Sequence, residues 1–261
     1  GFATGIAVCA FGFASAVASP LITCLTNRFS LHKTFIILGI IYIIPMFTAH
    51  LLIKKPQGYI ETIDKSDFKV LSMFKNKTFV AIWVMLYINI SCGLALISIA
   101  SPIMSELNIS LITITTVISI MGIFNGLGRI GFSTISDKFK NRILIYVIIF
   151  MLSFVTLCLT MRYPQLICIA LVTISACYGA GFSCLPSLLS DKFGMKNISK
   201  IHGLSLTSWA LAGLTGNQIS GLIKSITGEY TKVFPILVIL YSIGLIMSII
   251  FIVRNKRIEV K

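Results

Sequence analysis

Leu-Val-Ile-Leu-Tyr-Ser-Ile-Gly-Leu-Ile-Met-Ser-Ile-Ile-Phe-Ile, residues 237 to 252, is apolar nearly throughout, and Ile-Ile-Leu-Gly-Ile-Ile-Tyr-Ile-Ile, residues 36 to 44, reads the same way. Neither run alternates with period two, so neither is a strand of an outer-membrane barrel. Each lies inside a longer charge-free block. Such blocks run from Gly1 to Thr26, Thr34 to Ile53, Thr78 to Ser105, Leu107 to Gly128, Ile143 to Met161, Tyr163 to Ser190, His202 to Ile223 and Val233 to Val253. Every block reaches the length of about 20 residues that crosses a roughly 30 Å hydrocarbon layer at about 1.5 Å per residue. Lipid offers no partner to an open backbone amide, and a helical bundle is the remaining way to satisfy these segments. The expectation is an all-α membrane protein with eight transmembrane helices.

Composition agrees. Of the 261 residues, 56% are hydrophobic and 11% are charged, against roughly 25% charged in an average soluble domain, and mean hydropathy is +0.96. A water-soluble enzyme is therefore excluded. The net charge of +14 would suggest nucleic acid on a polar chain. Here the charges fall between apolar blocks, which points to a lipid bilayer and not to nucleic acid. Taking alternate loops as opposite sides, sixteen Lys and Arg residues fall on one side and five on the other. The excess of cations in cytoplasmic loops places the start of the first span and the tail in the cytosol. Arg129 belongs to neither side.

The longest polar stretch, residues 54–77, carries six Lys with Glu61, Asp64 and Asp67 and reads as a solvated cytosolic linker. It separates two spans from six. An internal echo supports that division: Gly12, Ser19, Leu21, Ile22 and Thr26 recur 201 positions later as Gly213, Ser220, Leu222, Ile223 and Thr227. Residues 1–53 then read as the last two helices of an N-terminal half, 78–253 as a six-helix C-terminal half and 254–261 as a cytosolic tail. The chain begins with Gly1 rather than Met and reads as a piece of a longer, twelve-helix protein whose missing N-terminal helices are its partners.

Particular residues strengthen this. The run Gly1-Phe-Ala-Thr-Gly-Ile-Ala-Val-Cys-Ala-Phe-Gly-Phe, with Ser19-Pro-Leu-Ile and Thr34-Phe-Ile-Ile-Leu-Gly-Ile-Ile-Tyr, resembles spans five and six of the oxalate/formate antiporter family of the major facilitator superfamily. Gly122-Ile-Phe-Asn-Gly-Leu-Gly-Arg129 through Ser136-Asp-Lys138 resembles that family's eighth span and its loop signature. Tyr178-Gly-Ala-Gly-Phe, Leu185-Pro and Asp191-Lys-Phe-Gly resemble the tenth span and its following loop. The resemblance covers essentially the whole chain, and the Arg129 block is its most specific part. The related monocarboxylate transporter family has Asp four residues before its corresponding Arg, where Asn125 stands here. The oxalate branch carries a Lys in its eleventh span, whereas Leu206-Thr-Ser-Trp-Ala-Leu has none and Lys224 lies at the span's outer end. The resemblance implies a facilitator fold and transport of small organic anions, and the missing Lys argues for a monocarboxylate over a dianion, or for a different polar substrate altogether.

Arg129 lies eight positions before Asp137, about 12 Å along a helix, which places it inside the bundle. A mid-bilayer arginine costs about 2.5 to 3.5 kcal/mol on insertion scales and cannot deprotonate. All eight acidic residues fall in loops, at span ends or in the tail. A substrate carboxylate gripped by the guanidinium would supply the missing charge; the competing reading is snorkelling to the cytosolic interface. Asn125, one turn earlier on the same face, either orients the guanidinium and substrate or makes an interhelical hydrogen bond. Tyr178, Phe182 and Trp209 form an apolar cage for small carbon skeletons, or simply pack. The resemblance gives Asp137, Lys138 and Arg142 a gating role, with Asp137 bracing the start of the first span through its N–H groups; the alternative is a solvated acid in a basic loop. Gly213, Gly216 and Gly221 read as close-packing positions.

His50, His202 and His32 sit at span ends or loops and offer little for a proton relay, so exchange or facilitated diffusion fits better. The seven cysteines fall in spans without metal or disulfide spacing, and no cofactor or metal motif is present. The reading is a multi-pass carrier, not an enzyme, placed in the plasma membrane with an organelle membrane as the alternative. Its cargo is a small carboxylate. The competing functions are a carrier of neutral or cationic solutes and a non-transporting receptor or scaffold.

Overall fold

Apolar segments in lipid become helices because only intra-segment bonds satisfy their backbone, and polar residues at their ends set where they stop. The computed structural model describes residues 1–54 and 69–259, and shows α-helices and short 3₁₀ turns with no strand among the described residues. The helices are α1 (Phe2–Arg28), α2 (Leu31–Leu52), α3 (Lys77–Ser98), α4 (Ala100–Glu106), α5 (Leu111–Ser136), α6 (Ile143–Arg162), α7 (Ile167–Phe193), α8 (Ile198–Ser205), α9 (Thr207–Thr227) and α10 (Phe234–Glu259). Capping follows the sequence. Asn76 accepts from the N–H groups of Thr78 and Phe79 at 2.9 and 3.2 Å to start α3, and Ser110 accepts from the Thr113 N–H at 3.3 Å to start α5. α9 stops at Gly228, whose φ of 80° suits a residue without a side chain.

Among the described residues seven segments are long and apolar enough to cross a membrane: α1, α2, α3, α5, α6, the stretch Pro164–Phe193 that includes α7, and Tyr230–Arg254. The expected span from His202 to Ile223 differs. It is divided into α8 and α9, and α9 has the length, 21 residues, but not the hydropathy. The reason lies in its packing on α3. Trp83 Nε1 donates to Thr207 Oγ1 at 2.9 Å, the Tyr87 and Thr215 hydroxyls are 2.9 Å apart, and Ser220 Oγ donates to the Ala95 carbonyl at 2.8 Å. Polar side chains satisfied by a neighbouring helix need not be replaced by apolar ones.

The chain forms two compact units, residues 17–68 and residues 1–16 with 69–261. In the first of these, α2 starts at Ser30, which accepts from the Lys33 N–H at 3.5 Å, and contains Pro45. The expected linker over 54–77 lies largely within 55–68, outside the described residues; its end folds as a 3₁₀ turn, Val70–Lys75.

In the larger unit, α3 and α7 are the most deeply buried spans, with α5 laid along α7, α9 along α3 and α10 along α6. The α5–α7 contact is backbone on backbone. A methyl group on Gly128 would sit 2.3 Å from the Ala176 carbonyl oxygen, and one on Gly179 2.3 Å from that of Asn125. The start of α1 rests on α5 in the same manner, since a methyl on Gly12 would lie 2.5 Å from the Gly126 nitrogen. Of the three glycines expected to allow close approach on α9, Gly216 does so against Ser91, whereas Gly213 and Gly221 have nothing within 4 Å. Helix α5 is thereby clasped on two sides, and Arg129 sits in the clasped segment.

Candidate functional site

Asn125 and Arg129 lie one turn apart on α5, and both side chains turn inward. Arg129 is buried, at 3% exposure, with Nε donating to Asn125 Oδ1 at 3.0 Å. That bond fixes the plane of the guanidinium. Its central carbon lies 5.2 Å from the ring centroid of Phe11 on α1 and 5.2 Å from that of Phe182 on α7. A guanidinium over an aromatic face gains about 0.5 to 2 kcal/mol, which offsets part of its lost hydration. Trp209 on α9 meets both rings edge-on, 5.1 Å from Phe182 and 6.2 Å from Phe11. Snorkelling does not describe this side chain.

Arg129 opens onto a cavity of about 350 Å³ walled by Val8, Phe11, Phe182, His202 and Trp209. Of the expected cage, Phe182 and Trp209 line this space. Tyr178 does not; it stands behind Phe182, with ring centroids 5.6 Å apart, and is packed over Gly93. Asn125 faces a second cavity of about 190 Å³ that it shares with Ser98, Ser101 and Ser175. Phe11 and His202 escaped the sequence reading. Phe11 is one of 18 phenylalanines and nothing in its spacing marks it. His202 was legible as a titratable residue at a span end, but only the fold of α8 onto α7 turns it toward Arg129.

Every acid whose side chain is described is engaged elsewhere. Glu106 pairs with Lys224, Asp137 and Asp191 both pair with Arg142, and Glu229 pairs with Lys232. No ion pair to Arg129 is found among the described residues. The buried cation is held by one amide oxygen and two rings, so part of its donor edge is open to a planar anion in the cavity.

The loop after α5 forms a separate cluster. Asp137 caps α5 and accepts from the Phe2 N–H at 2.8 Å, with the Gly1 nitrogen 2.8 Å from its other oxygen. Arg142 donates to Asp137, to Ser136 Oγ at 3.1 Å and, through Nε, to Asp191 Oδ2 at 2.7 Å. The Arg142 guanidinium and the Phe2 N–H hold the Asp137 carboxyl below the usual carboxylate range. Lys138 is exposed and takes part in none of these bonds. Arg142 thus ties the ends of α5 and α7 together, and Asp137 ties both to the start of α1. Asp137→Asn is expected to weaken the tie by about 1 kcal/mol, the scale of a hydrogen bond to an exposed charged group. The check is alkylation of a cysteine placed at Thr4, which should quicken several-fold.

The sequence model of the Major Facilitator Superfamily matches residues 1–217 of the chain. A curated relative, the uncharacterized MFS-type transporter YhjX of Escherichia coli (strain K12), is 23% identical over 223 residues, which are 82% of this chain and 55% of that protein. The chain therefore spans about half the length of the relative it matches. An all-helical architecture of apolar spans and a family match over most of the sequence agree: this multi-pass membrane chain belongs to the major facilitator superfamily, a family of transporters and not of enzymes.

Proposed function

We propose that the protein carries small organic anions, monocarboxylates or oxalate- and formate-like acids, across a membrane by alternating access, with Arg129 pairing the substrate carboxylate. The observation that carries this reading is the buried guanidinium without a carboxylate partner among the described residues. A cation in that position calls for an anion, and a cavity of about 350 Å³ beside it has room for one. Asn125 sets the guanidinium plane, Phe182 and Trp209 restrict the carbon skeleton, and Tyr178 backs Phe182. Lys224 is committed to Glu106 and to the Gly228 carbonyl, 2.6 Å away. A single fixed charge at the cavity favours a monoanion.

In this proposal residues 1–53 are the last two helices of an N-terminal half, 54–77 the cytosolic linker, 78–253 the C-terminal half and 254–261 the tail of a twelve-helix carrier. The halves rock about the site and expose it to each side in turn. Asp137 and Arg142, with Lys138 at the loop surface, form the cytosolic latch that opens when the site faces inward.

Uptake of a labelled panel of mono- and dicarboxylates, neutral sugars and amines by the full-length protein tests the reading. Small carboxylates should be the transported class. A carrier of neutral or cationic solutes would take up the others and be indifferent to Arg129→Gln, and a receptor or scaffold would show no flux at all. Phe182→Ala, which removes one ring from the guanidinium, should raise KM for a small carboxylate about 3- to 30-fold by loss of the cation–π contact. Phe182→Tyr, which keeps the ring, should stay within about twofold of the native value, and equal KM values for Ala and Tyr would remove the ring from the account.

A further inference from the structure

The wall of the Arg129 cavity holds one other ionisable side chain, His202 on α8. It is half-buried, and it also borders a neighbouring space of about 330 Å³ lined by Thr4, Ser187, Ser190 and Ser199. The elements packed against α8 carry Lys75 in the 3₁₀ turn, Cys168, Cys177, Tyr178, Cys184, Asp191 and Lys192 on α7, and Lys224 on α9; α8 itself carries Lys200. None of these lines either space, and Asp191 is paired with Arg142. The charged group that faces the imidazole across the cavity is Arg129.

We propose that His202 is a titratable second anchor for the cargo: neutral, it leaves a singly charged cavity that selects monoanions, and protonated, it admits short dicarboxylates. This rests on the carboxylate reading of Arg129. In the empty cavity burial disfavours the protonated imidazole. A dicarboxylate neutralises Arg129 with one end and offers the imidazolium the other, so binding of the dianion favours uptake of a proton. By linkage, protonation favours the dianion to the same degree. A monocarboxylate has no second end and gains little. Selectivity between the two classes is then a function of pH through the protonation of His202.

The test uses the full-length protein in liposomes, with exchange of labelled lactate and oxalate as competitor; both stay ionised between pH 6 and pH 8. The oxalate concentration that halves lactate exchange should rise roughly tenfold from pH 6 to pH 8, following the loss of the imidazolium. His202→Gln should be weakly inhibited at both pH values, and His202→Lys strongly inhibited at both. A native protein with the same oxalate sensitivity at pH 6 and pH 8 overturns the proposal without any variant, as does a His202→Gln protein that keeps the shift. Arg129→Gln separates the two layers. If lactate exchange requires Arg129 while oxalate sensitivity ignores pH, the His202 assignment alone fails. If lactate exchange is absent, or indifferent to Arg129, the carboxylate reading fails and this one with it.

Discussion

Arg129→Gln is expected to lower carboxylate uptake about a hundredfold or more while leaving the amount of protein in the membrane unchanged, and Arg129→Glu to abolish it. Removing one partner of a buried, hydrogen-bonded charge pair costs about 2 to 5 kcal/mol, which is roughly 30- to several-thousand-fold in affinity. Within the described residues Arg129 supports no ion pair, so the fold loses two cation–π contacts and one amide bond when the charge goes, not a salt bridge. Insertion should therefore survive. Arg129→Lys is not expected to rescue: Asn125 and the two rings fit a planar fork, and an ammonium presents a point charge. Uptake assays normalised to surface abundance decide the matter, and undiminished flux in Arg129→Gln would sink the assignment.

Gly179→Val should destabilise the protein by about 3 kcal/mol or more, at or above the upper end for overpacked sites. Its first added carbon falls 2.3 Å from the Asn125 carbonyl oxygen, 2.9 Å from Asn125 Oδ1 and 3.2 Å from Arg129 Cγ. The first of these is backbone, so the helices must part. Parting them also unseats the Asn125–Arg129 bond, and transport should fall together with the unfolding midpoint in detergent. Gly213→Ala is the control. Nothing lies within 4 Å of that position, and replacing a helical glycine there should be neutral or stabilising by about 0.5 to 1 kcal/mol. Equal midpoints for Gly179→Val and the native protein would contradict the α5–α7 packing.

The helical architecture was legible in runs such as residues 237 to 252, because continuous apolar sequence of membrane-crossing length leaves one way to satisfy the backbone. The burial of Arg129 was legible from its distance to Asp137, and its bond to Asn125 from their spacing of four. The division of one block into α8 and α9, and of another into α3 and α4 at Ile99, was not. Hydropathy encodes neither break: the one at Leu206 has no Pro beside it and comes from packing, and the one at Ile99 precedes Pro102, which has no N–H to bond the Ser98 carbonyl. The same blindness hid Phe11 and His202 and did not separate Tyr178, packed behind Phe182, from the residues that line the cavity. Which aromatic faces a cavity depends on helix rotation, and in spans that are apolar on every side the sequence carries no moment to reveal it.

The most direct measurement is equilibrium binding of a labelled monocarboxylate to the purified full-length protein, native and Arg129→Gln, at one pH and salt concentration. Saturable binding by the native protein with a loss of about a hundredfold in Arg129→Gln is the predicted result. Equal affinities in the two proteins, or no carboxylate binding by either, would contradict the claim that this buried guanidinium is the site of the anion.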